Sequence, residues 1–150
     1  MASQVFKIEG LRELDQALTE LPRAVARSAL LRTLKEQGQP IAAAGAALAP
    51  RGETGQLAQS YMVGTKLSRR QKKLNRKESM VEVYIGPTPH PKSVQTEFGN
   101  AHQAPQPHLR PAWDGNVMRV LNGIKSSLAQ KIEKARARLA RKAARLAAKI

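Results

Sequence analysis

Apolar residues recur along this chain with two periods, and each change of period marks an element. After Gly10, residues Leu11, Leu14, Leu18 and Leu21 fall at steps of three and four, one face of a short helix, and Pro22 stops that helix or opens the next. Val25, Ala29, Leu30, Leu34, Ile41, Ala44 and Leu48 continue at near-helical spacing up to Ala49-Pro50. Pro40, just after Gly38, removes a ladder donor and crowds the preceding turn, so the pattern predicts a kink or two helical pieces on nearly shared axes. The period falls to two at residues 57–67, where Tyr61 and Val63 share a face and Met62 takes the other. It does so again at 80–85, where Val81, Val83 and Ile85 alternate with Glu82 and Tyr84 until Gly86-Pro87 ends the run. Residues 5–8 and 93–98 read as further short strands, the latter in the same sheet. From Pro111 onward the helical period returns through Trp113, Val117, Val120, Leu121, Ile124, Leu128, Ile132, Ala135, Leu139, Ala143 and Leu146, with Gly115 and Gly123 its weak points.

These elements predict an α+β fold, a small antiparallel sheet packed by N-terminal helices and followed by a long basic C-terminal helix. Past Leu128 the apolar stripe narrows to one residue per turn, partly alanine, which is thin for burial. The expected division is therefore a domain over 1–128 and a basic helical extension over 129–150 that leaves the globule. Arg51-Gly52-Glu53-Thr54-Gly55 and Glu97-Phe98-Gly99 read as architectural turns whose glycines supply positive φ. The stretch 97–112 holds three prolines, which makes it a stiff connector between the two unlike halves.

Charge sharpens this division. The chain of 150 residues carries a formal charge of +15, and two segments hold all of the excess. Residues 66–77 contribute Lys66, Arg69, Arg70, Lys72, Lys73, Arg76 and Lys77 without an acid, and residues 125–149 hold nine basic side chains against Glu133. The remainder is balanced. The first segment is expected as the mobile tip (66–78) of a hairpin. Together with Arg136, Arg138, Arg141, Lys142 and Arg145 of the second, it is the candidate contact with an anionic partner, against the plain alternative of solvated surface. A chain of this length buries roughly 68–70% of its unfolded surface without staples. With no cysteine, disulfides and thiolate metal sites are excluded, which fits a reducing compartment. No stretch reads as a membrane span and residues 1–10 lack a signal-peptide core, so a soluble, unexported protein is expected.

No catalytic pattern is present: no glycine-rich phosphate loop, no nucleophile elbow, no metalloprotease helix. His90, His102 and His108 lie in the proline-rich stretch, with only Glu97 near them, and read as solvent-exposed loop histidines rather than metal ligands. Trp113 reads as a residue packing the seam at the start of its helix. No aromatic residue lies within the basic runs, which disfavours single-strand nucleic-acid recognition while leaving phosphate contact open. Neither enzyme activity nor a cofactor is expected.

Several short patterns then line up in order. Gly10-Leu11 with Leu14, Leu21-Pro22, Ala49-Pro50 followed by Thr54-Gly55, Leu57 and Ser60, the strand ending Ile85-Gly86, Glu97-Phe98-Gly99, Gln106-Pro107 and Arg110-Pro111-Ala112 together resemble the tail-completion or head-to-tail joining family of long-tailed bacteriophages. The resemblance covers residues 10–129. It implies a non-enzymatic virion protein of the phage neck, assembled in the host cytoplasm as a homo-oligomeric ring, six-fold by the same resemblance, between head-closure proteins and the tail terminator or tail tube. DNA in the neck channel is a further partner this would admit, with no membrane involved. The basic tip and basic terminal helix are more strongly charged than the family pattern requires. In a ring, the stripe Leu128, Ile132, Leu139 and Leu146 is expected between subunits. The competing expectation is a small basic nucleic-acid-binding protein that uses the terminal helix and the 66–77 loop.

Overall fold

The computed structural model describes residues 10–149; the strand expected at 5–8 lies outside them. Helices α1 (Leu11–Thr19) and α2 (Arg23–Leu48) are followed by one turn of helix, α3 (Gln56–Gln59), and strand β1 (Tyr61–Gly64). Helix α4 (Arg69–Leu74), strand β2 (Tyr84–Pro87), helix α5 (Ser93–Phe98) and the 39-residue α6 (Leu109–Ala147) complete the order. The fold is mixed helix and strand, with a two-stranded antiparallel sheet and α6 packed against the other elements.

Helices α2 and α6 form the spine, joined by more contacts than any other pair of elements. Pro40 does not split α2, which runs unbroken through it. The alanine- and leucine-rich flanks keep the helix in register, and Ile41 and Ala42, immediately after the proline, are anchored in the core. At one end of the spine Leu21, Ala26, Ala29, Leu128, Ile132 and Ala135 are buried together, with Leu14, Leu18 and Leu139 packed against them. The helix was therefore not free to leave the globule at 128. Ala140 through Lys149 are exposed throughout, so the overhang begins about three turns later than the thinning stripe suggested.

The sheet lies on the other half of α2. Val63 pairs with Ile85 and Met62 with Gly86. Val63 and Ile85 face Gly38, and Tyr61 faces Gly45, while Met62 points to the exposed side, as the alternation at 61–63 predicts. The second strand is displaced from the predicted 80–85. The ladder runs over 84–87 and includes Gly86 and Pro87, the residues expected to stop it. Pro87 is tolerated because it is the terminal rung, where a missing N–H disrupts no interior pairing. Leu57, expected in the first strand, sits buried in α3.

Residues 93–98 are helix, not a third strand. Thr96 and Glu97 are adjacent and both buried; neighbours in a helix can point to one side, whereas in a strand they must oppose each other. The basic tip also carries regular structure. Ser68 and Gln71 form a capping box at the start of α4. On the return, the Glu82 carboxylate accepts from the backbone N–H of Glu78 (2.8 Å) and Ser79 (3.2 Å) and from the Tyr84 hydroxyl (2.6 Å). That hydroxyl, followed by the two backbone donors, holds the carboxyl down at about 2.

Gly45 lets the sheet approach α2. A Cβ there would stand 2.6 Å from Tyr61 Cζ, on a ring that cannot swing away because its hydroxyl is held by His108. Gly45→Ala is expected to destabilise by about 2 kcal/mol despite its better helix propensity. Gly123→Ala should be close to neutral, because the nearest group it meets is the flexible Gln37 side chain. Urea midpoints of the two variants check this; equal midpoints would exclude the close approach at Gly45.

Candidate functional site

A polar constellation built around Glu97 occupies the junction of sheet, α5 and α6. A helix start leaves backbone N–H groups without partners. Helix α6 begins at Leu109 with His108 as its N-cap, yet His108 makes no side-chain cap. Glu97 supplies the acceptors from outside. Its Oε2 receives the N–H of His108 (2.8 Å) and Leu109 (2.9 Å), and its Oε1 receives the N–H of Arg110 (3.0 Å). Pro111 comes next and has no N–H to satisfy. Arg110 then closes the pair, its Nε donating to Oε1 at 3.0 Å and its Nη2 to the Glu97 carbonyl at 2.9 Å, with the guanidinium 4.8 Å from the centre of the Phe98 ring. Burial opposes ionisation of this carboxyl, but the three backbone donors and the guanidinium outweigh it and bring its pKa down to about 2.

Two more groups complete the junction. The Tyr61 hydroxyl hydrogen-bonds His108 Nδ1, and the rings meet edge to face at 5.6 Å. His108 is 1% exposed; among the described residues its Nε2 makes no hydrogen bond, and it lies 3.6 Å from Glu97 Oε2. Burial lowers the pKa of His108 against the opposing pull of Glu97, so the imidazole is neutral. Burial, with the Glu97 charge behind it, also raises that of Tyr61, which stays protonated. His108 is thus a buried part of the junction and not the solvent-exposed loop histidine its neighbours suggested. The lone signal for it in the sequence was its position between Pro107 and the first turn of a helix.

The rest of the 97–112 stretch holds this geometry. Gly99 has φ +76 and ψ 176, a conformation confined to glycine, and a Cβ there would stand 2.9 Å from Gln103 O and Pro105 N. Gln106 N–H returns to the Thr96 carbonyl at 2.8 Å. Of the residues singled out as architectural, Glu97, Phe98, Gly99, Arg110, Pro111 and the buried Ala112 meet here, and Pro107 lies exposed beside them. Ala49, Pro50, Thr54 and Gly55 lie instead on the connection from α2 to α3 and Leu57 lies in α3 itself; Ala49 and Leu57 are buried and Gly55 has φ +60.

Beside the junction lies a groove of about 240 Å³ over the sheet face turned away from α2, lined by Met62, Leu67, Val94, Phe98 and Leu109. Val94 is 66% and Phe98 61% exposed on its rim. Trp113, expected to pack a seam, is about half exposed on α6. The junction's carboxylate is held by backbone donors and by Arg110, and its imidazole by the Tyr61 hydroxyl. Among the described residues no group of three or more His, Asp or Glu side chains could hold a metal ion. None of the helices described is long and apolar enough to cross a membrane.

The basic side chains separate into two sets. Lys66, Arg69, Arg70, Lys72, Lys73, Arg76 and Lys77 are exposed on and around α4. On α6, Arg136 is engaged by Glu20 (2.6 Å) and Glu133 (3.0 Å), whereas Arg138, Arg141, Lys142 and Arg145 make no ion pair among the described residues. The stripe expected between subunits divides: Leu128 and Ile132 are buried by α1 and α2 of the same chain, Leu139 is partly covered, and Leu146 stands exposed on the overhang. Comparison with protein families, with characterised proteins and with solved structures finds no match to this chain.

Proposed function

We propose that this protein is a structural subunit of a phage neck, a self-assembling six-fold ring that completes the tail and joins it to the head. The observation that carries the reading is the exposed apolar groove beside the rigid Glu97 junction. Apolar side chains gathered over a groove, with polar surroundings, mark a surface that another protein covers. A ring subunit needs such a patch on one side, because its contact with the next copy is heterologous and closes only by symmetry. The Glu97 cap supports the same role by fixing the angle between the sheet that carries this groove and the long α6. Adjoining head-closure and tail-terminator or tail-tube rings would meet the other surfaces, and the solvated cations of α4 and the α6 overhang suit DNA or acidic protein in the channel. The role is one of assembly and needs no catalysis or cofactor.

Val94→Asp and Phe98→Ser alter exposed side chains, so each should leave the melting temperature within a few degrees. Each should also prevent heads from joining tails in particles made with the altered chain. Antibody labelling of released particles in the electron microscope should place the protein at the head-tail junction. Absence of label from every particle, with nucleic acid co-purifying at low salt and leaving at high salt, would replace this reading with the basic nucleic-acid-binding one.

A further inference from the structure

We infer that a second groove, between the first half of α2 and the second half of α6, is the docking site for an acidic amphipathic helix of a partner protein. This groove, of about 560 Å³, has an apolar floor of Val25, Ala29, Ala135 and Leu139. Its walls are basic: Arg32 from α2, and Lys131, Lys134, Arg138 and Lys142 from α6. Among the described residues no acidic side chain lines it. Lys131 is paired with Glu36, which leaves Arg32, Lys134, Arg138 and Lys142 without an ion pair among the described residues.

The α2–α6 pair already accepts one amphipathic helix on its other flank. Leu14, Leu18 and Leu21 of the α1 region pack there over Ala26, Leu128 and Ile132. At 100° per residue, Lys125 and Arg136, which approach Gly10 and Glu20 of that region, lie on one side of the Leu128–Ile132–Leu139 stripe. Lys134 and Arg138, at the groove, lie on the other. The open flank offers the same small-residue floor, and alanine at its centre lets a helix axis come within the usual 8–10 Å or so.

Charge decides what kind of chain fits. Lys134, Arg138 and Lys142 recur every four residues, one cation per turn along about 12 Å of helix, which matches carboxylates placed at i, i+4 and i+8 on an opposing helix. A phosphate backbone would use the cations but gain nothing from the apolar floor, and among the described residues no aromatic side chain lines the groove for a base to stack on. Apolar anchors flanked by acids use both. This inference does not depend on the neck reading, since any assembly could supply such a helix.

The test is fluorescence anisotropy on the full-length protein. The probes are a labelled synthetic helix with leucines on one face and glutamates on both flanks, a scrambled peptide of the same composition, and a short DNA duplex. The amphipathic peptide should bind about tenfold or more tightly than its scramble, and Lys134→Glu with Arg138→Glu should weaken it by a similar factor. Ser28→Trp, a change at an exposed residue of the groove wall, should also block the peptide while leaving DNA binding within about twofold. Equal binding of the scramble, or DNA binding that the charge reversals abolish alongside peptide binding that Ser28→Trp leaves intact, would overturn the inference in favour of a phosphate surface. Self-association lost in Lys134→Glu with Arg138→Glu would assign the groove to a second copy. Peptide binding that appears only after deletion of residues 2–9 would assign it to the chain's own N-terminal segment, and either result overturns the partner helix.

Discussion

Glu97→Ala is expected to cost about 3–5 kcal/mol, a loss of roughly 6–20 °C in melting temperature for a domain of this size. The alanine leaves the N–H groups of His108, Leu109 and Arg110 without acceptors at a buried helix start. Hydrogen bonds to a charged acceptor contribute about 1.5–3 kcal/mol each, and here they share one carboxylate. Glu97→Gln should fall in between, because its amide nitrogen would face N–H donors that need an acceptor. The pH dependence gives an independent reading. With the folded carboxyl at about 2 against an ordinary 4.5, the unfolded chain binds the proton first on acidification. The contribution, ~3 kcal/mol, is therefore full above about pH 5 and is lost as pH falls from 4.5 toward 2. His108, with a lowered pKa, acts in the same direction from about pH 6.5 downward, since only the unfolded imidazole charges readily. The gap in stability between wild type and Glu97→Gln, measured by urea unfolding, should close as pH falls to 2. A gap that is constant with pH would show that the carboxylate is not the ionised cap described.

What the sequence disclosed was what periodicity can encode. Leu11 to Leu21 reads as a helix because four leucines repeat on one face, and Tyr61 and Val63 read as inward-facing because Met62 breaks the run between them. The Glu97 junction was half legible: Glu97-Phe98-Gly99 and Arg110-Pro111-Ala112 stood out as motifs, but nothing in either says that one carboxylate reaches eleven to thirteen residues along the chain to cap the other. That pairing depends on the turn held by Gly99 and on the return of Gln106 to Thr96, both tertiary facts. Residues 93–98 misread as strand because six residues are too few to separate periods of 2 and 3.6, and the deciding feature is that Thr96 and Glu97 must both face inward. Val81 and Val83 alternate well, yet the ladder settles four residues later, where Val63 and Ile85 can both pack on Gly38. The cationic groove was invisible for the same reason: Arg32 and Arg138 are separated by most of the chain and meet only across the α2–α6 pair.

The second large effect separates the two readings of the C-terminal helix. A chain ending at Leu128, the boundary suggested by the thinning stripe, should fail to fold cooperatively, while one ending at Ala140 should melt within a few degrees of the full protein. The shorter chain removes Ile132, 1% exposed, and Ala135, and thereby opens Leu21, Ala26 and Ala29 to water and strips α1 of the surface it packs on. Replacing a buried isoleucine with alanine alone costs about 2–5 kcal/mol, and losing its neighbours as well reaches the total stability of an ordinary domain, about 5–15 kcal/mol. Among the described residues the longer chain loses only exposed ones, Leu146, Arg141, Lys142 and Arg145 among them. Circular dichroism melts of the two chains decide the matter: similar melting temperatures would mean that residues 129–139 contribute nothing to the core. If the chain ending at Ala140 folds but no longer enters particles, the overhang is a contact surface and not a stabilising element. That outcome would assign Leu146 and the terminal cations to assembly, while Leu128 and Ile132 belong to folding.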